Sequence, residues 1–315
     1  MPLFDRILIL DWSAAGSPKR GRDSIWIGGD RSPARNPETR RRAWKLLGCA
    51  LSRARKTGER VLVGADFAFG HPAGLAQRIT GQPGALALWD HLGAAHRDDD
   101  RNRSNYRDLA AAMNRALGQP VFWGDGRKLP TPDLPRLKPA PHPDLSQRRA
   151  TETASGTARP KSVFQLAGAG AVGAQSLTGI AWLNRLRRVP GVAVWPFQPC
   201  DEARAVLAEV YPSLIGQGVR AAEGFSCRDE AEVTVLAHVL RHLDDADALA
   251  PLFMPHPAIT ALADEGQILG FGHQPALEAA AEAVLAARPW GDQLPDQRPG
   301  GAVDRPTTSS ASSNS

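Results

Sequence analysis

Two short apolar runs, each closed by an aspartate, constrain this chain more than any other feature: Arg6-Ile-Leu-Ile-Leu-Asp11 and Arg60-Val-Leu-Val-Gly-Ala-Asp66. Neither alternates polar with apolar residues, so each predicts a strand buried on both faces of a helix-covered sheet. Between them, Ser24 to Gly28 predicts a second strand, joined to the first as a long hairpin across a loop rich in Gly, Ser, Lys and Arg. A helix is expected from Pro37 to Gly58, with Trp44, Leu47, Leu51 and Ala54 on one face and Arg42, Lys45, Arg53 and Lys56 on another. Strand, strand, helix, strand is α/β order, and the expectation is a mixed sheet flanked by helices.

A length of 315 residues is enough for one full core. One domain over residues 1–290 is expected, with 70–160 as a large insertion. That insertion carries helical patterns at Ala85 to Ala95 and Tyr106 to Leu117, then a Pro-rich span, Leu129 to Pro143, that must be extended or loop. Further on, a helix is expected through Leu177 to Leu186, a strand at Val192 to Trp195, and an apolar run at Val206 to Tyr211. By propensity Ala203 to Tyr211 reads as either strand or short helix. From Ser226 a helix carries Val233, Leu236, Ala237, Leu240 and Leu243 at spacings of three and four, and a weaker amphipathic pattern covers Glu278 to Ala287. From Gly291 the chain turns to Pro, Gly, Ser, Thr and Asp, which predicts a disordered tail whose removal changes little.

No apolar run approaches the roughly 18 residues of a membrane span, and Met1 to Trp12 lacks a signal-peptide pattern, so a cytoplasmic protein is expected. Cys49, Cys200 and Cys227 form no Cys-x-x-Cys pair, which argues against a zinc knuckle or a disulfide framework. The net charge of +5 is unevenly spread: residues 1–60 hold fourteen Lys and Arg against six Asp and Glu. That excess suits either a solvated helix face or a region that steers a phosphate-bearing ligand.

If the two Asp-terminated strands are parallel neighbours, Asp11 and Asp66 project at one sheet edge, where ligands of such sheets bind. Glu209 sits in another apolar run, where an ionised group is costly unless paired or coordinated. Asp229 and Glu232, about one turn apart at the start of the Ser226 helix, can point inward at the same edge. For Asp229 the alternative is a capping role behind Ser226. Carboxylates that converge repel by about 4 kcal/mol per pair at 4 Å and an effective dielectric near 20, unless cations neutralise them. Hard oxygen donors suit Mg²⁺ or Mn²⁺, and two such ions about 4 Å apart support phosphodiester hydrolysis.

In order along the chain stand Leu8-Ile-Leu-Asp11-Trp-Ser, Gly64-Ala-Asp66-Phe-Ala-Phe-Gly-His-Pro, Lys161-Ser-Val-Phe-Gln-Leu, Gly168-Ala-Gly-Ala-Val-Gly173, Glu209-Val-Tyr-Pro and Arg228-Asp-Glu-Ala-Glu232. This series, spread over about residues 6–245, resembles a large domain family of predicted RNase H-like nucleases. The resemblance implies an RNase H-like fold, a nucleic acid or nucleotide substrate, and catalytic roles for Asp11, Asp66, Glu209 and Glu232. It implies a metal site drawn from those four and Asp229. Glu232-Val-Thr stands where an Asp-Ala-Leu tripeptide is common in the family, so the last ligand is either Asp229 or Glu232.

Gly168-x-Gly170-x-x-Gly173 matches the dinucleotide-binding pattern but lacks the acid expected about 20 residues on. The same glycines, with Lys161 and Ser162, are instead candidates for a cradle around substrate phosphate. His71, His91, His96 and His142 show no metal spacing. Two other functions compete with the nuclease: a role in molybdopterin guanine dinucleotide biosynthesis, a label carried by similar chains, and a non-catalytic nucleic-acid-binding module.

Overall fold

A computed structural model describes residues 1–129, 131–154, 161–168 and 171–291. Its centre is a six-stranded mixed sheet of β1 (Arg6–Asp11), β2 (Trp26–Gly29), β3 (Ser32–Arg35), β4 (Val61–Asp66), β5 (Val192–Val194) and β6 (Ala205–Glu209), in the order β3-β2-β1-β4-β6-β5. β1 runs parallel to β4, β4 to β6 and β6 to β5, while β2 is antiparallel to both β1 and β3. The apolar runs of β1, β4 and β6 are unbroken because each strand feeds two cores. Leu8, Leu10, Val61, Val63, Ala65 and Leu207 enter one core, and Ile7, Ile9, Leu62, Val206 and Ala208 enter the other. The run at 206–211 is therefore strand, and Glu209 closes it.

The helices are α1 (Arg40–Thr57), α2 (Leu75–Thr80), α3 (Ala85–Ala95), α4 (Tyr106–Leu117), α5 (Ala150–Ala154), α6 (Gly173–Arg187), α7 (Gly216–Ala221), α8 (Arg228–Asp245), α9 (Leu262–Glu265) and α10 (Gln274–Ala287). α1 starts later than Pro37 because the Thr39 side chain caps it, accepting from the Arg42 N–H, and it stops at Gly58, whose φ of 77° is left-handed. Side chains of α1 and α6 line the first core, and those of α7, α8 and α10 the second. No helix among the described residues is long and apolar enough to cross a membrane.

The expectation that 70–160 stands outside the core is not met. This segment adds no strand to the sheet, but Leu88, Trp89 and Leu92 of α3 and Leu109 and Met113 of α4 belong to the same apolar cluster as Leu10 and Val63. The cause lies in α6, which is buried nearly all round, with Leu177, Ile180, Ala181, Trp182 and Leu183 all inside. A helix apolar on every side needs a second cover beyond the sheet, and α3 and α4 supply it. The Pro-rich span 129–143 holds no helix or strand among its described residues, as its composition predicts. The expected disordered tail, apart from Gly291, lies outside the described residues.

β2 begins two residues later than expected because Ser24 and Ile25 bond to the preceding loop and to Asn36. Within β2, Gly28 faces α8 so closely that a Cβ there would lie 2.6 Å from the Val233 carbonyl carbon and oxygen. Gly28→Ala should therefore destabilise the protein by about 1–3 kcal/mol in urea unfolding, since backbone must shift to admit the methyl group. Gly48→Ala in α1, where no atom lies within 4 Å of the added Cβ, should instead stabilise by about 0.5–1 kcal/mol.

Candidate functional site

Asp11 and Asp66 are the last residues of β1 and β4, and they are direct partners in the parallel register. Residues so paired lie on neighbouring strands about 4.8 Å apart and point to the same face of the sheet. That face is the α8 side, because the preceding residues, Leu10 and Ala65, point into the opposite core. Gly28 lets α8 lie against β2, and the first turns of α8 carry Asp229 and Glu232 toward the end of β1.

No hydrogen bond or ion pair reaches the carboxylate of Asp11 or Asp66 among the described residues, and both side chains are partly open to solvent. Burial, then the charges of Asp66, Asp229, Glu232 and Asp23, push the Asp11 carboxyl well above the ordinary carboxylate range. The Asp66 carboxyl is pushed up to about 8, by burial first and then by Glu232 and Glu209. Glu232 is also raised, chiefly by burial, against the opposing effect of Arg228. The site is thus an under-neutralised cluster of acids, which binds protons in the absence of another cation.

The other predicted acids have partners. Glu232 accepts from Arg228 Nε at 2.7 Å, an i,i+4 pair along α8. Asp229 accepts from the Asp23 N–H at 2.5 Å, which ties the β1–β2 loop to α8. Ser226 does not cap α8: the N-cap is Cys227, without a side-chain capping bond, and Ser226 donates both its N–H and its hydroxyl to Glu230 in the first turn. The link to Ser226 considered for Asp229 is made by Glu230 instead.

Glu209, expected among the metal ligands and catalytic acids, is held elsewhere. Its register partner is Ala65 rather than Asp66, and one residue of offset on a pleated strand sends the side chain to the opposite face. There Arg149 grips both oxygens, at 2.7 and 2.6 Å, and the Phe69 N–H donates to one of them at 2.8 Å. Arg149 is itself buried; burial works against its charge, but Glu152 and Glu209 outweigh it. It also donates to the Glu265 carbonyl at 2.9 Å, joining β6, α5 and α9. Beside it the His71 imidazole, packed against Phe122 and Phe164, is pulled down to about 3 by burial and by Arg149, and so stays neutral.

The expected phosphate cradle is not assembled as predicted. The Ser162 hydroxyl is buried, donating to the Gln147 carbonyl at 2.6 Å and accepting from the Phe164 N–H at 3.2 Å. Gly173 packs α6 onto the 163–165 segment, where a Cβ would meet the Val163 carbonyl oxygen at 2.3 Å. Lys161 is exposed and Gly168 has a left-handed φ of 100°, while Gly170 lies outside the described residues. The start of α6 does border the acids, since Gln175 donates to the carbonyl of Trp12, next to Asp11, at 2.8 Å.

Sequence reasoning missed Arg149, Arg228 and Asp23. The i,i+4 spacing of Arg228 and Glu232 was a readable signal. Arg149 is spaced i,i+3 from its partner Glu152, but nothing local marks its bond to Glu209, sixty residues on in another element. Asp11 and Asp66 offer hard oxygen donors without a competing base, which fits Mg²⁺ or Mn²⁺. Among the described residues, however, no group of three or more His, Cys, Asp or Glu side chains is arranged to hold a metal ion. In comparisons with known proteins, no family model, no curated protein and no solved structure matches the chain.

The two kinds of acid should respond oppositely to neutralisation. Glu209→Gln leaves Arg149 buried with Glu152 as its remaining charged partner and should cost about 1–3 kcal/mol in urea unfolding. For Asp66 the folded pKa of about 8 lies above the unfolded value near 3.9, so the folded state keeps a proton the unfolded chain has lost. Its contribution to stability should therefore fall as pH rises from about 4 to about 8 and level off above. Asp66→Asn should remove that fall, and metal-free unfolding curves for both proteins across this range measure the difference.

Proposed function

We propose that the chain is a divalent-metal-dependent phosphodiester hydrolase of RNase H-like type, with Asp11 and Asp66 at its catalytic centre. The observation that carries this reading is the pairing of two base-free carboxylates at the ends of adjacent parallel strands. A mixed sheet with one antiparallel strand, helices on both faces and acids on the two central strands supports the family resemblance.

A hard divalent cation supplies charge neutralisation and Lewis acidity toward phosphoryl oxygens when bound. Asp11 and Asp66 would hold it through their carboxylate oxygens, and their mutual repulsion is what favours a cation there over none. Asp66 carries a proton near neutral pH in the metal-free protein and must release it to become a ligand. Cation binding therefore releases protons and strengthens as pH rises. Glu232 and Asp229 stand on the same side; Arg228 holds one oxygen of Glu232 and the Asp23 N–H one oxygen of Asp229, so each would offer its other oxygen. Arg149 is a positioning residue: it fixes Glu209 and the chain after β4, and through them the strand end that carries Asp66.

One observation favours a second reading, a non-catalytic nucleic-acid-binding module: among the described residues no group of three or more His, Cys, Asp or Glu side chains is arranged to hold a metal ion. Thermal melts and cleavage assays separate the two. On the hydrolase reading, Mg²⁺ or Mn²⁺ raises the melting temperature of the wild type and raises that of Asp11→Asn less. Cleavage of labelled DNA or RNA should fall by roughly a hundredfold or more in the variant, the rate equivalent of several kcal/mol of lost charge stabilisation. Equal metal response in both proteins, with no cleavage by either, would establish the binding module.

A further inference from the structure

Four of the fourteen basic residues among the first sixty gather at one place. Arg20 of the β1–β2 loop, Arg35 at the end of β3, and Arg42 and Lys45 of α1 line a groove of about 290 Å³, with Asn36 and Cys49 completing its walls. Glu38 is the one acid paired within this group, accepting from Arg42 at 2.5 Å and lying 3.4 Å from Arg20. Arg35 and Lys45 are exposed and have no acidic partner among the described residues. Four cations face one carboxylate here, a surplus that suits an anion rather than a mixed solvated surface.

The groove is held in shape from below. Asn36 accepts from the Gly21 N–H at 2.6 Å and donates to the Ser24 hydroxyl at 2.8 Å and the Ile25 carbonyl at 2.5 Å. These bonds fasten the β1–β2 loop to the end of β3, which keeps Arg20 opposite α1. The sheet register relates the groove to the acids. Asp11 pairs with Trp26 on β2, and the adjacent Ile27 pairs with Arg35 on β3. Arg35 thus ends its strand at the same sheet edge as Asp11, two strand spacings or about 10 Å away, but on the α1 face while Asp11 leaves on the α8 face, so a strand from the groove reaches the acids by passing over that edge.

We propose that this groove binds a backbone phosphate of a nucleic-acid strand that continues along the sheet edge to Asp11 and Asp66. The placement of the neighbouring phosphodiester at the acids rests on the hydrolase reading, whereas phosphate capture by the groove does not. A free phosphate would meet the same cations, so the test separates a strand from a lone anion.

The test is binding of a fluorescein-labelled single-stranded oligonucleotide in EDTA, followed by anisotropy across a salt titration. Arg35→Ala/Lys45→Ala, two exposed changes without lost partners, should weaken binding about tenfold. It should also flatten the dependence of log K on log salt by about 0.7, the contribution of one phosphate contact to a single strand. In the unmodified protein the oligonucleotide should slow alkylation of the exposed Cys49 by iodoacetamide several-fold, and inorganic phosphate at the same concentration should not. The rise in melting temperature on adding Mg²⁺ should be the same in Arg35→Ala/Lys45→Ala as in wild type, so failure of the groove and failure of the metal site are read separately. Unchanged affinity and salt slope in the double variant, unprotected Cys49, or equal protection by inorganic phosphate would each overturn the proposal.

Discussion

Repulsion between two neighbouring carboxylates sets the character of one edge of this protein's sheet. Asp11 and Asp66 are set side by side by the parallel pairing of β1 and β4, and no basic group answers them. Burial deepens the effect, because a less polar surrounding strengthens the repulsion and weakens hydration together. Protons offset this cost in the absence of metal: Asp11 is raised by burial and then by Asp66, and Asp66 is raised to about 8 by burial and then by Glu232 and Glu209. A cation that takes the place of those protons is stabilised by whatever free energy the sheet has already committed to keeping the acids together. On the proposed reading, that stored repulsion is the source of metal affinity.

The pleat divides the acids of the sheet edge into two classes. Asp11 and Asp66 leave toward α8, while Glu209, offset by one residue, leaves toward Arg149. The first class is under-neutralised and open to solvent. The second is a closed, fully hydrogen-bonded pair that ties β6 to α5 and α9. Such a pair contributes little net stability over an apolar replacement, yet losing one partner is expensive. Its value here is geometric: it fixes Phe69 and the chain leaving β4, and so the position of Asp66. Gly28 does the same from the other side, by allowing α8 to approach β2 at backbone distance.

Much of this was legible in the sequence, for identifiable reasons. The apolar runs at 6–11 and 60–66 read as doubly buried strands because parallel strands do not alternate, and their closing aspartates marked the edge. The helices at 85–95 and 106–117 read correctly from their periodicity. Glu209 was misread because strand parity depends on register, and register is set by contacts across the sheet that a single strand does not display. Ser162 was misread because its partner, Gln147, lies across a segment without periodicity. The role of 70–160 escaped because α6 gives no sign in its own sequence of which element covers its second face. Charge asymmetry in the first sixty residues was visible, but the gathering of four basic residues in one groove required the Asn36 bonds that bring loop and helix together.

The central claim concerns the ionisation of two side chains, and carboxyl-carbon NMR titration of ¹³C-labelled protein reads it directly, with Asp11→Asn and Asp66→Asn used for assignment. Without metal, the Asp66 resonance should titrate near pH 8, and in Glu232→Gln, which removes a neighbouring charge, the value should fall. Saturating Mg²⁺ or Mg²⁺ doped with Mn²⁺ should shift the titration to lower pH, with paramagnetic broadening confined to the pair. An Asp66 carboxyl that titrates in the ordinary carboxylate range near 4 without metal, or one whose titration ignores added cation, would contradict the account.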